Sequence, residues 1–150
     1  MSKVVLVTGG FDPLHSGHIA YFKAAKEFGD TLCVAVNSDD WLRRKKGKPF
    51  MNIDERVSVL KELKTPDIVI EFNDKDDSAC DAIEMALQVY EEVVFANGGD
   101  RGKMNTPEFD KYGDDPRVEF VWGVGGDDKM NSSSWILHGY FERQRKLLGI

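Results

Sequence analysis

Short, almost continuous apolar runs alternate along the chain with longer amphipathic stretches. The runs VVLV, LCVAV, IVIEF, VVF and VEFVW predict strands over 3–8, 31–37, 67–72, 92–96 and 118–122. Strands that lack apolar–polar alternation are buried on both faces, which is the mark of a parallel sheet. Helical spacing predicts helices over 17–28, 53–63, 79–90 and 132–147, the last starting in the serine run. Their ends carry matching signals: Gly29 to close the first in a left-handed conformation, Asn52 with Glu55 to open the second, and Ser78 to cap the third. Strand and helix in alternation give one Rossmann-like α/β domain over 1–150, with about five parallel strands in order 3-2-1-4-5 and helices on both faces. Three polar stretches, 39–52, 97–117 and 123–131, resist this pattern and are read as loops. Each follows a strand, so all three emerge at the carboxyl edge of the sheet, where open α/β folds hold their ligands.

Charge narrows the partners. Against 20 Lys and Arg stand 26 Asp and Glu, a net charge of −6, so the chain is not built to coat nucleic acid and a bound phosphate must meet a local positive site. No run approaches the roughly 20 apolar residues of a membrane span, and MSKVVLVTGG has no secretory-signal pattern, so a cytoplasmic protein is expected. Cys33 and Cys80 sit inside apolar segments without metal-ligand spacing and read as buried, reduced thiols.

The densest chemistry lies in TGGFDPLHSGH, residues 8–18, between the first strand and the first helix. Gly9 and Gly10 let backbone approach a ligand, and the helix start offers free N–H groups at residues 16–19, so Thr8, Gly9, Gly10, Phe11, Asp12 and Gly17 read as a phosphate cradle. His15 and His18, three apart across that helix start, can serve one volume as N–H donors to a phosphorus under attack. The dinucleotide fingerprint is not met, because its three spaced glycines are missing here, and GGDRGKM at 98–104 lacks P-loop spacing. Nor do the two histidines have partners in the sequence that suit zinc.

Further candidates follow the other strands. RRKKGK at 43–48 puts five cations in six residues, a mobile loop suited to close on phosphates. Arg56 has two open readings, a surface ion pair with Asp54 or Glu55, or a phosphate ligand. ANGGD at 96–100 lets a flat base lie against Gly99, with Asp100 or nearby carbonyls reading its amino group. KMNSSSWI at 129–136 combines Lys129, the hydroxyls of Ser132, Ser133 and Ser134, and the N–H groups of a helix start.

In this order, GGFDPLHSGH, VNSD at 36–39, the lysine run, DER at 54–56, GGD at 98–100 and SSS resemble the cytidylyltransferase-like nucleotidylyltransferases over roughly residues 3–137. AVNSD, KGKPF and NGGD most resemble the adenylyltransferase domain of bacterial heptose-phosphate enzymes, while the general plan also suits glycerol-3-phosphate cytidylyltransferase. The resemblance implies transfer of a nucleoside monophosphate from ATP or CTP to a small phosphorylated acceptor, with release of pyrophosphate and no covalent enzyme intermediate. It implies that His15 and His18 stabilise the α-phosphate, that Lys45, Lys46 or Lys48 hold the acceptor and α-phosphates, and that Arg56 holds the acceptor phosphate or the triphosphate. Ser132, Ser133 and Ser134 would grip the β- and γ-phosphates, Gly99 and Asp100 would meet the base, and Mg²⁺ would be bound mainly through the nucleotide phosphates, with no protein metal site. The polyol-phosphate branch carries an arginine before its serine/threonine run; here Asp127 and Asp128 stand near that place, with Lys129 as a substitute. A sugar-phosphate adenylyltransferase is the first expectation and a polyol-phosphate cytidylyltransferase the second. A nucleotide sensor without turnover is the rival, although a pure binder gains little from groups tuned to a transition state. Trp41, Phe50 and Trp135 are candidates to line the pocket, pack internally or cover the face of a homodimer.

Overall fold

The five apolar runs form the strands β1 (Lys3–Gly9), β2 (Leu32–Val36), β3 (Ile68–Glu71), β4 (Glu92–Gly98) and β5 (Val118–Val124). They lie in the order β3-β2-β1-β4-β5 with every pairing parallel, as the sequence predicts. The computed structural model describes residues 2–99, 101–102, 105–125 and 132–150. Alternate side chains of the same strands serve two cores. Val4, Leu6, Cys33, Ala35 and Phe95 pack with Ala82, Ile83 and Ala86 of α4 (Cys80–Val89). On the opposite face Val5, Val7, Val34 and Val36 pack with Phe22 and Ala25 of α1 (Ser16–Lys26) and Val57 and Leu60 of α3 (Ile53–Lys61). Both cysteines are free and buried, and burial pushes the Cys33 thiol up to about 12. Among the described residues, no helix is long and apolar enough to cross a membrane.

Two helices lie where loops are expected. α2 (Asp39–Lys46) occupies much of 39–52, and α5 (Pro107–Tyr112) lies within 97–117. The Ser38 side chain caps α2 by accepting from the Trp41 N–H at 3.1 Å, acidic residues fill its first turn and basic ones its last, and Gly47 ends it at φ +88°. The charge gradient suits the helix dipole, while Ser38 and Gly47 close the two ends. The basic run is therefore the last turn of a helix, not a mobile loop. Asn52 caps α3 through the Glu55 N–H, as predicted. For α4 the Ser78 hydroxyl accepts from the Cys80 N–H at 3.2 Å, although Ala79 holds the cap position. α1 does not end on a left-handed Gly29. Its C-cap Glu27 is right-handed, and a side chain at Gly29 would meet Val5 at 3.0 Å, so the glycine is there for closeness to β1. The last helix, α6 (Ser133–Leu148), starts in the serine run as expected.

Candidate active site

After β1 the chain turns sharply, and its own packing uses the glycine pair. A side chain on Gly9 would stand 2.9 Å from the Phe11 ring, and one on Gly10 would stand 3.0 Å from Leu42 of α2. Phe11 is held at φ +53°, a conformation that costs a non-glycine residue about 1–3 kcal/mol. Its ring is 4 % exposed and packs edge-on against His18 and Phe22, which offsets that strain. The Asp12 carboxylate, equally buried, accepts the N–H groups of Phe50 at 2.6 Å and Met51 at 2.7 Å. Phe11 and Asp12, expected at the nucleotide, thus spend their side chains shaping the junction.

The histidines form a reciprocal cap on α1. His15 is the N-cap and its Nδ1 accepts from the Gly17 N–H at 3.1 Å, while Nδ1 of His18 accepts from the His15 N–H at 3.2 Å. A nitrogen that accepts an N–H must carry its lone pair, so in both rings the proton sits on Nε2. The ring centroids lie 3.8 Å apart. Burial first, then the charges of His15 and Lys46, push the His18 pKa down to about 3, so its imidazole is neutral throughout the physiological range. Local backbone bonding therefore fixes two N–H donors side by side at a helix N-terminus.

The serine run meets the same junction. Ser132 caps α6 by accepting from the Trp135 N–H at 3.0 Å, and Ser133 donates its hydroxyl to the carbonyl of Pro13 at 2.8 Å, tying α6 to the segment just before His15. Ser134 is exposed. Two of the three hydroxyls are thus committed inside the protein. Neither α1 nor α6 carries an acidic residue in its first turn, so both N-termini remain attractive to anions.

The predicted cations separate. Lys46 acts electrostatically on His18, Lys45 stands 6.0 Å from the centre of the Trp41 ring, and Lys48 lies exposed beyond the helix. Arg56 follows neither open reading. Its side chain is fully buried, its Nε donates to the Met51 carbonyl, its Nη1 to the carbonyls of Gly10 and Asn37, and its Nη2 to Asp39 at 2.7 Å. With four of its five N–H donors spent in this way and its side chain fully buried, it braces three segments of the carboxyl edge and is not arranged to hold a phosphate.

A cavity of about 500 Å³ opens at that edge, bounded by Thr8 and Gly9 of β1, Trp41 and Lys45 of α2, and Arg101 and Glu108. The last two form an ion pair at 2.9 Å, and neither was legible as a site residue, since no motif or spacing marks them. Nearby, burial works against the charge of Asp74, yet hydrogen bonds from Ser38 and Asn37 hold its carboxyl below the usual range and lock α2 to the segment after β3. Gly99 has φ +62° with open space around it, a conformation that glycine adopts without strain. Gly17 is the first backbone donor inside the histidine cap. Asp100 and Lys129, with Asp127 and Asp128, lie outside the described residues.

A family model described as cytidylyltransferase-like matches residues 6–100, which include the glycine junction, the histidine cap, α2 and α3. The chain belongs to the cytidylyltransferase-like family. Membership makes it a nucleotidyltransferase. The bifunctional protein HldE of Geobacter metallireducens is 34% identical over 145 residues, covering 93% of this chain and 28% of that protein. HldE of Shewanella amazonensis is 46% identical over 74 residues, 48% of this chain and 16% of its own length. The chain thus spans less than a third of these curated relatives. The solved structure of a lipopolysaccharide core biosynthesis protein from Thermoplasma volcanium is 27% identical with a TM-score of 0.66, covering 85% of this chain and all of that one.

Proposed function

We propose that this chain transfers AMP from ATP to a sugar phosphate of the heptose-1-phosphate kind and releases pyrophosphate. Support for the sugar phosphate comes from the likeness at AVNSD, KGKPF and NGGD and from the likeness to the lipopolysaccharide core biosynthesis protein of Thermoplasma. The observation that carries the chemistry is the reciprocal histidine cap. In the proposed reaction an acceptor phosphate oxygen attacks the α-phosphorus in line, a new O–P bond forms, and the bond to the bridging oxygen breaks as pyrophosphate leaves. The attacking oxygen is already anionic, so no general base is required, and positioning with charge neutralisation must lower the barrier. Nε2–H of His15 and of His18 would donate to the non-bridging oxygens as charge builds there. Lys46, whose charge reaches His18, would balance the α-phosphate, and Lys45 would meet the acceptor phosphate in the cavity. The first turn of α6, with Ser134, would face the outer phosphates.

Among the described residues, no three His, Cys, Asp or Glu side chains are grouped to hold a metal ion. A Mg²⁺ that enters with the triphosphate would be carried by phosphate oxygens and water, neutralising their charge.

Pyrophosphate release is the test, measured with each of the four nucleoside triphosphates against sugar and polyol phosphates. Release from ATP with a sugar 1-phosphate is expected. Release only from CTP with glycerol 3-phosphate would move the chain to the polyol branch. Nucleotide binding by calorimetry without release from any pair would overturn the reading in favour of a sensor.

A further inference from the structure

Glu108 lines the cavity yet is only 1 % exposed. Its Oε1 accepts from Nη2 of Arg101 at 2.9 Å, and its Oε2 has no hydrogen-bond partner among the described residues. A buried carboxylate oxygen without a donor is costly, and folded proteins keep few of them. We infer that Glu108 selects a hydroxyl-bearing acceptor by taking a hydrogen bond from an acceptor hydroxyl on Oε2 while Oε1 stays with Arg101. The inference rests on the reading of the cavity as the acceptor site.

Charge decides which donor fits. Arg101 already balances Glu108, so the free oxygen needs a neutral O–H and has no call for a second cation. Lys45, also on the cavity wall, leaves a positive group for the phosphate end of the same molecule. The Trp41 ring, with Ala79 and Pro107, supplies apolar surface for the C–H face of a sugar. Motion at the pair is cheap. The terminal torsion of a glutamate is broad and roughly two-fold, and the Arg101 side chain is 36% exposed, so both can follow an entering hydroxyl without moving backbone. A site built around a substrate hydroxyl rejects the analogue without it far more strongly than an apolar pocket does.

The test is NMR titration of the whole chain with D-mannose 1-phosphate, methyl phosphate and O-phosphoethanolamine, repeated on Glu108→Gln and Glu108→Leu. The wild-type chain should bind mannose 1-phosphate at least about tenfold more tightly than methyl phosphate. Both variants should bring that ratio to within about twofold and leave the methyl phosphate affinity unchanged. A carboxylate with a merely structural role would lower the thermal midpoint through the lost Arg101 pair and leave the ratio as it is. If the leucine variant fails to fold, the isosteric glutamine variant carries the measurement. The inference is overturned if the variants keep the wild-type ratio, if the wild-type chain shows no ratio or no binding, or if it prefers O-phosphoethanolamine. Because binding is read here and turnover is not, a failure of this inference says nothing against pyrophosphate release. Equally, a chain that releases no pyrophosphate can still show the ratio, so the two readings fail separately.

Discussion

The two flanks of the glycine junction are built on opposite principles. On one flank, His15 and His18 cap the start of α1 with their ring nitrogens, lie 3.8 Å apart between centroids, and have Phe11 edge-on against His18. On the other, Arg43, Arg44, Lys45 and Lys46 crowd the last turn of α2 and stand exposed. The first flank holds donors in place before any ligand arrives, whereas the second gathers exposed charge, of which Arg43 pairs with Asp40 and Arg44 with Asp77 while Lys45 and Lys46 face the site. Preset donors act where charge develops in a transition state, and exposed cations act in capture. Histidine changes should therefore be read in kcat and lysine changes in KM.

The sharpest way to break the comparison is to remove what both flanks share. Arg56 bonds the carbonyl of Gly10 on one side and Asp39 at the start of α2 on the other. Arg56→Ala should lower unfolding free energy by about 3–5 kcal/mol in urea titrations, the usual penalty for breaking a buried ion pair. A loss below about 1 kcal/mol would show that the brace is dispensable. Next in size, His18→Ala should reduce kcat roughly 10²–10³-fold in steady-state assays with little change in nucleotide affinity, and cost about 1 kcal/mol for the lost cap. Lys46→Ala should mainly raise KM for nucleotide or acceptor, roughly three- to tenfold, with a smaller loss in kcat. It should also let the His18 pKa rise in an NMR titration, since the Lys46 charge helps to depress it. A further effect is thermodynamic. The folded pKa of His18 is about 3 against 6.5 unfolded, so below pH 6.5 the unfolded chain binds the extra proton. Stability from this group is complete above pH 6.5 and declines as pH falls, by at most about 1.4 kcal/mol per unit. Urea midpoints between pH 6.5 and 5 should fall in the wild-type chain and flatten in His18→Asn.

Strand order and the histidine junction were legible because unbroken apolar runs and a dense local motif need no tertiary context. α2 was not, since DDWLRRKK has only Trp41 and Leu42 to mark a period. The Ser38 cap and the acidic-then-basic gradient were the available signals. Arg56 could have been found, since Ile53, Arg56, Val57 and Leu60 share one helical face and three of the four are apolar. The pairing of Arg101 with Glu108 depends on where α5 docks, which no local pattern encodes. The serine hydroxyls were read as ligands because capping and anion binding draw on the same residue types.

Asp12 has a reach beyond its own turn. By gripping the amides of Phe50 and Met51 from nearly forty positions away, it gives a segment outside every helix and strand the fixity of a sheet edge. Lys48, two residues upstream, stands exposed past the end of α2. The connection from α2 to α3 is thus moored to the glycine junction at its far end, so a change at Asp12 would be felt on both sides of the pocket at once.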